Sequence, residues 1–112
     1  MMTDFSAAPR QRDSKWLDFK AINRVALREL PSLLRRWAPG GRVVGHEYIA
    51  RNPIRNDRRI GSFKVNLATG KWADFATGDK GGDVVSLAAY LHRMAQGEAA
   101  RMLAENLGVV DV

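Results

Sequence analysis

From Trp16 onward the apolar positions fall at three- and four-residue steps, with Phe19, Ile22, Ala26, Leu30, Leu33 and Trp37 forming one stripe, the spacing of a helix face. Pro31 interrupts the stripe where its missing N–H costs nothing, in the first turn of a second helix. The pattern predicts helices over 16–29 and 31–37, the second stopped by Pro39-Gly40-Gly41. Residues 42–50 mix β-branched, aromatic and polar side chains in rough alternation and read as strand. A loop rich in turn formers and arginine covers 51–59. Ser62 to Leu67 then alternates cleanly, placing Phe63, Val65 and Leu67 on one face. Ala68-Thr69-Gly70-Lys71 reads as a hairpin turn, and Trp72 to Ala76 returns as the partner strand.

Thr77 to Gly82 is a glycine-rich loop, and Asp83 is placed to cap the next helix. That helix carries Val84, Leu87, Ala88, Leu91 and Met94 on one stripe, and Gly97 is expected to break it. A last helix turns Ala100, Leu103, Ala104 and Leu107 inward, and Gly108 followed by Val109 resembles a Schellman ending. Residues 1–14 are polar and aperiodic and read as a mobile, disordered tail. The expectation is one α+β domain over 15–112, with helices over 16–37, a small antiparallel sheet over 42–76 and helices over 83–107.

Composition narrows the chemistry. The 112 residues suit one domain. No apolar run approaches the ~20 residues that crossing a bilayer requires, and Met1 to Arg12 lack the apolar stretch of a secretory signal. The absence of cysteine excludes disulfides, thiolate zinc sites, iron–sulfur clusters and cysteine nucleophiles. A cytoplasmic location is expected. The formal charge of +6 is uneven: residues 1–64 hold 14 Lys/Arg against 6 Asp/Glu, and residues 65–112 hold 4 against 6. Charge alone leaves open both a polyanion partner and a merely solubilising surface.

The glycine-rich loop fits neither the Walker pattern nor the dinucleotide fingerprint, and Asp79 and Asp83 would repel a phosphate, so a tight turn and a helix cap account for it. Asp74 is expected to pair with Lys71 or Lys80. His46-Glu47 has no nucleophile or second base beside it, and no carboxylate cluster of the magnesium-holding kind is visible. No catalytic residue, no cofactor, no metal and no small-molecule substrate is expected, so the chain does not read as an enzyme.

Motifs from Asn52 onward carry a resemblance. Asn52-Pro53-Ile54-Arg55, Gly61-Ser62-Phe63-Lys64-Val65-Asn66, Gly70-Lys71-Trp72-Ala73-Asp74-Phe75 and Lys80-Gly81-Gly82-Asp83-Val84-Val85-Ser86-Leu87 occur in that order. Together they resemble the N-terminal zinc-binding domain of bacterial DNA primases, especially the variants in primase–helicase proteins of phages and plasmids. In that family a Cys-Pro-x-His corner precedes a Pro-Ser-Phe-x-Val-Asn strand, and a hairpin leads to Cys-x-x-Cys and Lys-Gly-Gly-Asp. The run Gly97 to Gly108 is similar to the family's closing helix. The resemblance covers about 42–110. The positions matching the four ligands hold Asn52, Arg55, Phe75 and Gly78, none of them a normal zinc ligand. The resemblance therefore implies a zinc-ribbon-like fold without metal. A structural zinc contributes on the order of 10 kcal/mol, and Phe75 is expected to replace it by packing in the core beside Trp72.

The resemblance also implies contact with single-stranded template DNA, a task that needs cations for phosphates and aromatic faces for bases. Arg51, Arg55, Arg58 and Arg59 crowd into nine residues, and Lys64, Lys71 and Lys80 lie on or beside the hairpin. Trp72 and Tyr48 are the candidate stacking rings, core packing being the alternative for Trp72. The expected function is a nucleic-acid-binding accessory of a mobile-element primase or helicase. The alternative is a protein adaptor docking onto a replication protein, with the basic surface incidental. A regulator of duplex DNA fits less well, since Pro31 and the Trp37-bearing stripe suit packing better than groove reading.

Overall fold

The computed structural model describes residues 18–55 and 61–109, so Trp16, the expected tail, Arg58 and Arg59 lie outside it. Asp18 accepts the Ala21 amide through Oδ1 at 3.1 Å, satisfying a donor that every helix start leaves unpaired. Helix α1 (Phe19–Arg28) turns Ile22 and Ala26 inward. Glu29 joins it directly to α2 (Leu30–Trp37), with Pro31 in the first turn and Leu30, Leu33 and Leu34 buried.

Five antiparallel strands follow, each paired with the next: β1 (Arg42–Val44), β2 (Glu47–Ala50), β3 (Phe63–Asn66), β4 (Trp72–Asp74) and β5 (Lys80–Gly81). Two features depart from the sequence reading. The 42–50 stretch is a hairpin, because Gly45 adopts φ +62 and Val44 pairs back with Glu47; a left-handed glycine is what so short a loop needs. The glycine-rich loop also holds a strand, Lys80 and Gly81 pairing with Ala73 and Trp72. Two residues are too few for alternation to reveal.

Helix α3 (Val84–His92) starts at Asp83 as expected, with a reciprocal box: Asp83 Oδ1 accepts the Ser86 amide at 2.8 Å and Ser86 Oγ accepts the Asp83 amide at 3.4 Å. It ends on left-handed Arg93 (φ 54). Gly97 breaks nothing and lies in the first turn of α4 (Gln96–Leu107). Gly108 (φ +70) and the Val109 amide, bonded to the Ala104 carbonyl at 2.9 Å, make the Schellman ending. The fold is α+β, a five-stranded antiparallel sheet with two helices before it and two after it among the described residues.

One face of the sheet supplies Tyr48, Ala50, Phe63, Val65 and Trp72 to a buried cluster shared with all four helices. Asn23 on α1 accepts the Val85 amide at 2.9 Å, tying α1 to the start of α3. Among the described residues no helix is long and apolar enough to cross a membrane.

Gly81 is required by close approach. A Cβ there would lie 2.7 Å from Trp72 Cε2 and meet Trp72 Nε1 and Ser86 Oγ, which bond each other at 3.0 Å. Gly81→Ala should cost about 1–3 kcal/mol by overpacking. Gly82→Ala, whose Cβ meets nothing within 4 Å, should stay within about 0.5 kcal/mol of the parent. Denaturant titration of both variants checks the pair, and equal stability would contradict the close approach.

Candidate nucleic-acid interface

Pairing in the β3–β4 hairpin decides which way each β4 side chain points. Phe63 stands opposite Asp74 and Val65 opposite Trp72, and directly opposed residues share a face. Phe63 and Val65 are in the core, so Trp72 and Asp74 point inward while Ala73 and Phe75 point outward. The expectation of a buried Phe75 is overturned: the residue is 71% exposed. The stacking roles expected of Trp72 and Tyr48 are overturned as well. Trp72 is 6% exposed, donates Nε1–H to Ser86 Oγ and lies 4.5 Å from the Tyr90 ring, centroid to centroid. Tyr48 is 4% exposed, and its hydroxyl donates to the Ala38 carbonyl at 2.7 Å and accepts the Gly41 amide at 3.2 Å. Both rings are core.

The outward face has its own order. Arg42, Ile49, Lys64, Ala73 and Lys80 stand opposite one another across the five strands, so three cations share one cross-strand row. In the neighbouring row Glu47 stands opposite Asn66, whose amide bonds the Lys71 carbonyl at 2.7 Å. Lys64 Nζ lies 5.5 Å from the Phe75 ring centroid, within cation–π range. An open depression of about 200 Å³ is lined by Glu47, Lys64, Asn66, Lys71, Trp72, Ala73 and Phe75. Lys64, Lys71 and Lys80 thus fall on one face, together with Arg42, which the sequence did not single out, and with Phe75, which was expected in the core.

The arginines divide. Arg51 is exposed beyond β2. Arg55 turns towards the core, its Nε donating to Asp74 Oδ2 at 3.0 Å. Asp74 therefore pairs with Arg55 and not with Lys71 or Lys80, because strand alternation puts Asp74 on the face opposite to Lys80 and the hairpin lysines' depression. Asn52, fully buried, donates Nδ2–H to Asp74 Oδ2 and to the Tyr90 hydroxyl, both at 2.8 Å, and accepts the Ile54 amide at 3.1 Å. The Ala76 amide reaches Asp74 Oδ1 at 2.8 Å, and the Tyr90 hydroxyl donates to Asp79 Oδ2 at 2.8 Å.

Burial pushes the Asp74 carboxyl up, but the Asn52 and Ala76 hydrogen bonds and the Arg55 guanidinium outweigh it and hold the group below its ordinary value. Tyr90 is pushed up, by burial first and then by Asp79 and Asp74, against the opposing Asn52 bond. This arrangement does not suit a metal ion. Arg55 already neutralises the buried carboxylate, and among the described residues no group of three or more His, Asp or Glu converges. Comparison with protein-family models, curated proteins and solved structures finds no match to this chain.

Two outcomes follow from these positions. Phe75→Ala should leave stability within about 0.5 kcal/mol of the parent, whereas Trp72→Ala should cost about 3–5 kcal/mol; thermal melts of the two variants give the comparison. Asp74→Asn should cost about 2–3 kcal/mol at neutral pH, through lost charge-assisted bonds. Because the folded-state value of Asp74 is depressed, its contribution is complete above the ordinary carboxylate range near pH 4 and fades as the pH falls through the lower folded value. The variant's stability should consequently fall less steeply with acid, and parallel acid titrations would contradict the assignment.

Proposed function

We propose that this chain binds single-stranded DNA on the open face of its sheet, as a non-catalytic module acting beside a primase or helicase of a mobile element. The observation that carries the reading is Phe75, an exposed ring beside the Lys64 ammonium on a face that also holds Arg42, Lys71 and Lys80. Stacking on an aromatic ring requires an open base face, which single strands offer and a duplex hides, while the cation row meets phosphates. The primase or helicase setting rests on the ordered motifs between Asn52 and Gly108.

One observation favours a second reading, docking onto a replication protein. Edge strand β1 leaves Val43 57% and Val44 55% exposed, and such an edge can accept a partner's strand.

Fluorescence anisotropy with single- and double-stranded oligonucleotides across a salt series separates the two. The first reading expects preference for single strands and affinity that falls steeply with salt. Phe75→Ala should weaken binding by about 1–3 kcal/mol with the salt slope unchanged, since stacking releases few ions. Replacing Lys64 and Lys80 by alanine should flatten the slope by about 0.7 for each phosphate that is no longer neutralised. No binding at low salt would remove the first reading and leave docking.

A further inference from the structure

We propose that the depression beside Phe75 selects a guanine base through the Glu47 carboxylate, an inference that rests on the single-strand reading above. Among the described residues, Glu47 is the one acid on the outward side of the strands, in the company of Arg42, Lys64, Lys71 and Lys80. It is half-buried, and among the described residues no cation lies within ion-pair distance of it, Arg55–Asp74 being the pair found there. Its charge is therefore not spent inside the protein. A carboxylate at this point repels phosphate, so the backbone follows the Arg42–Lys64–Lys80 row and the Glu47 position meets a base.

An ionised carboxylate only accepts hydrogen bonds. The Watson–Crick edge of guanine presents two adjacent donors, N1–H and the exocyclic amino group, which match its two oxygens. Cytosine and adenine set an amino group beside a ring acceptor, and thymine flanks a single N–H with two carbonyls, so each brings an acceptor against the carboxylate. Glu47 and Phe75 line the same depression, so a base stacked on the ring turns an edge towards Glu47. Lys64 and Lys71 line it as well and supply donors for guanine O6.

The test uses oligothymidylates carrying one central guanine, inosine, cytosine or thymine, titrated by anisotropy against the parent protein and Glu47→Gln. A bidentate base contact is worth about tenfold or more in discrimination, so the guanine oligonucleotide should bind the parent about tenfold more tightly than the all-thymine one. Inosine, which lacks the exocyclic amino group, should lose most of that advantage. Glu47→Gln, with an unchanged melting temperature, should bind the four within about twofold of one another. Its all-thymine affinity should equal or exceed the parent's, because a repulsive charge is gone. Equal binding of all four by the parent, or a guanine preference that survives Glu47→Gln, overturns the inference and leaves single-strand binding intact. Failure of every oligonucleotide to bind at low salt overturns the single-strand reading, and the inference falls with it.

Discussion

The Asp74 carboxylate, fully buried at the inner end of β4, is the constraint around which the sheet's far end is organised. Taking an ionised group out of water costs several kcal/mol unless donors and charge surround it. Here Asn52 and Arg55 approach from the segment after β2, and the Ala76 amide approaches from the turn after β4. Through Asn52 the network continues to Tyr90 on α3 and on to Asp79. Two turns and a helix are thereby held to one point by hydrogen bonds. On the proposed kinship with primase zinc domains, this is the task a metal performs, since Asn52 and Arg55 stand at ligand-matching positions. Hydrogen bonds to a charged group contribute about 1.5–3 kcal/mol each, against roughly 10 kcal/mol for a structural zinc. The remainder falls to apolar burial, and Leu30, Leu33 and Leu34 of α2 join the cluster formed by the sheet and the later helices.

Holding Asp74 inward also decides what the other face becomes. Side chains in a strand alternate, so an inward Asp74 requires an outward Ala73 and an outward Phe75. The same register sends the Trp72 indole to Ser86 and Tyr90. With the helices gathered on the inner face, the outer residues stay in contact with solvent, and among the described residues of the strands only Glu47 opposes the cation row. Core and candidate interface are thus two consequences of one register.

Much of this was legible in the sequence. The two N-terminal helices, the Asp83 cap and the Gly108-Val109 ending follow from apolar spacing and from residues that satisfy helix ends, both of which are local signals. The orientation of Trp72 and Phe75 was legible too. Phe63 and Val65 mark the core side of β3, and the turn before Trp72 sets Val65 opposite it, so period-two alternation already placed the larger ring inside. Ranking the rings by kind instead of by alternation reverses them. The Arg55–Asp74 pair was not legible, because it spans 19 residues and depends on the path of the intervening loop. The β1–β2 reversal and the two-residue β5 were hidden for a different reason: neither is long enough to establish a period.

Formal charge understates the outer face. Residues 65–112 carry more acids than bases, which alone would argue against an anionic ligand on strands drawn from that half. Yet its only two lysines, Lys71 and Lys80, both lie at the outward face. The nearby acids are committed elsewhere. Asp74 is buried against Arg55, Asp79 accepts the Tyr90 hydroxyl, and Asp83 is taken up by the Ser86 amide at the start of α3. A carboxylate bound to donors of the protein is already partly compensated, and its field at the far side of the sheet is weaker than its formal charge implies. Among the described residues, an anion approaching the sheet from outside therefore meets Arg42, Lys64, Lys71 and Lys80 against one uncompensated acid, Glu47. The surface is cationic because of where the acids are bonded, and not because the chain has few of them.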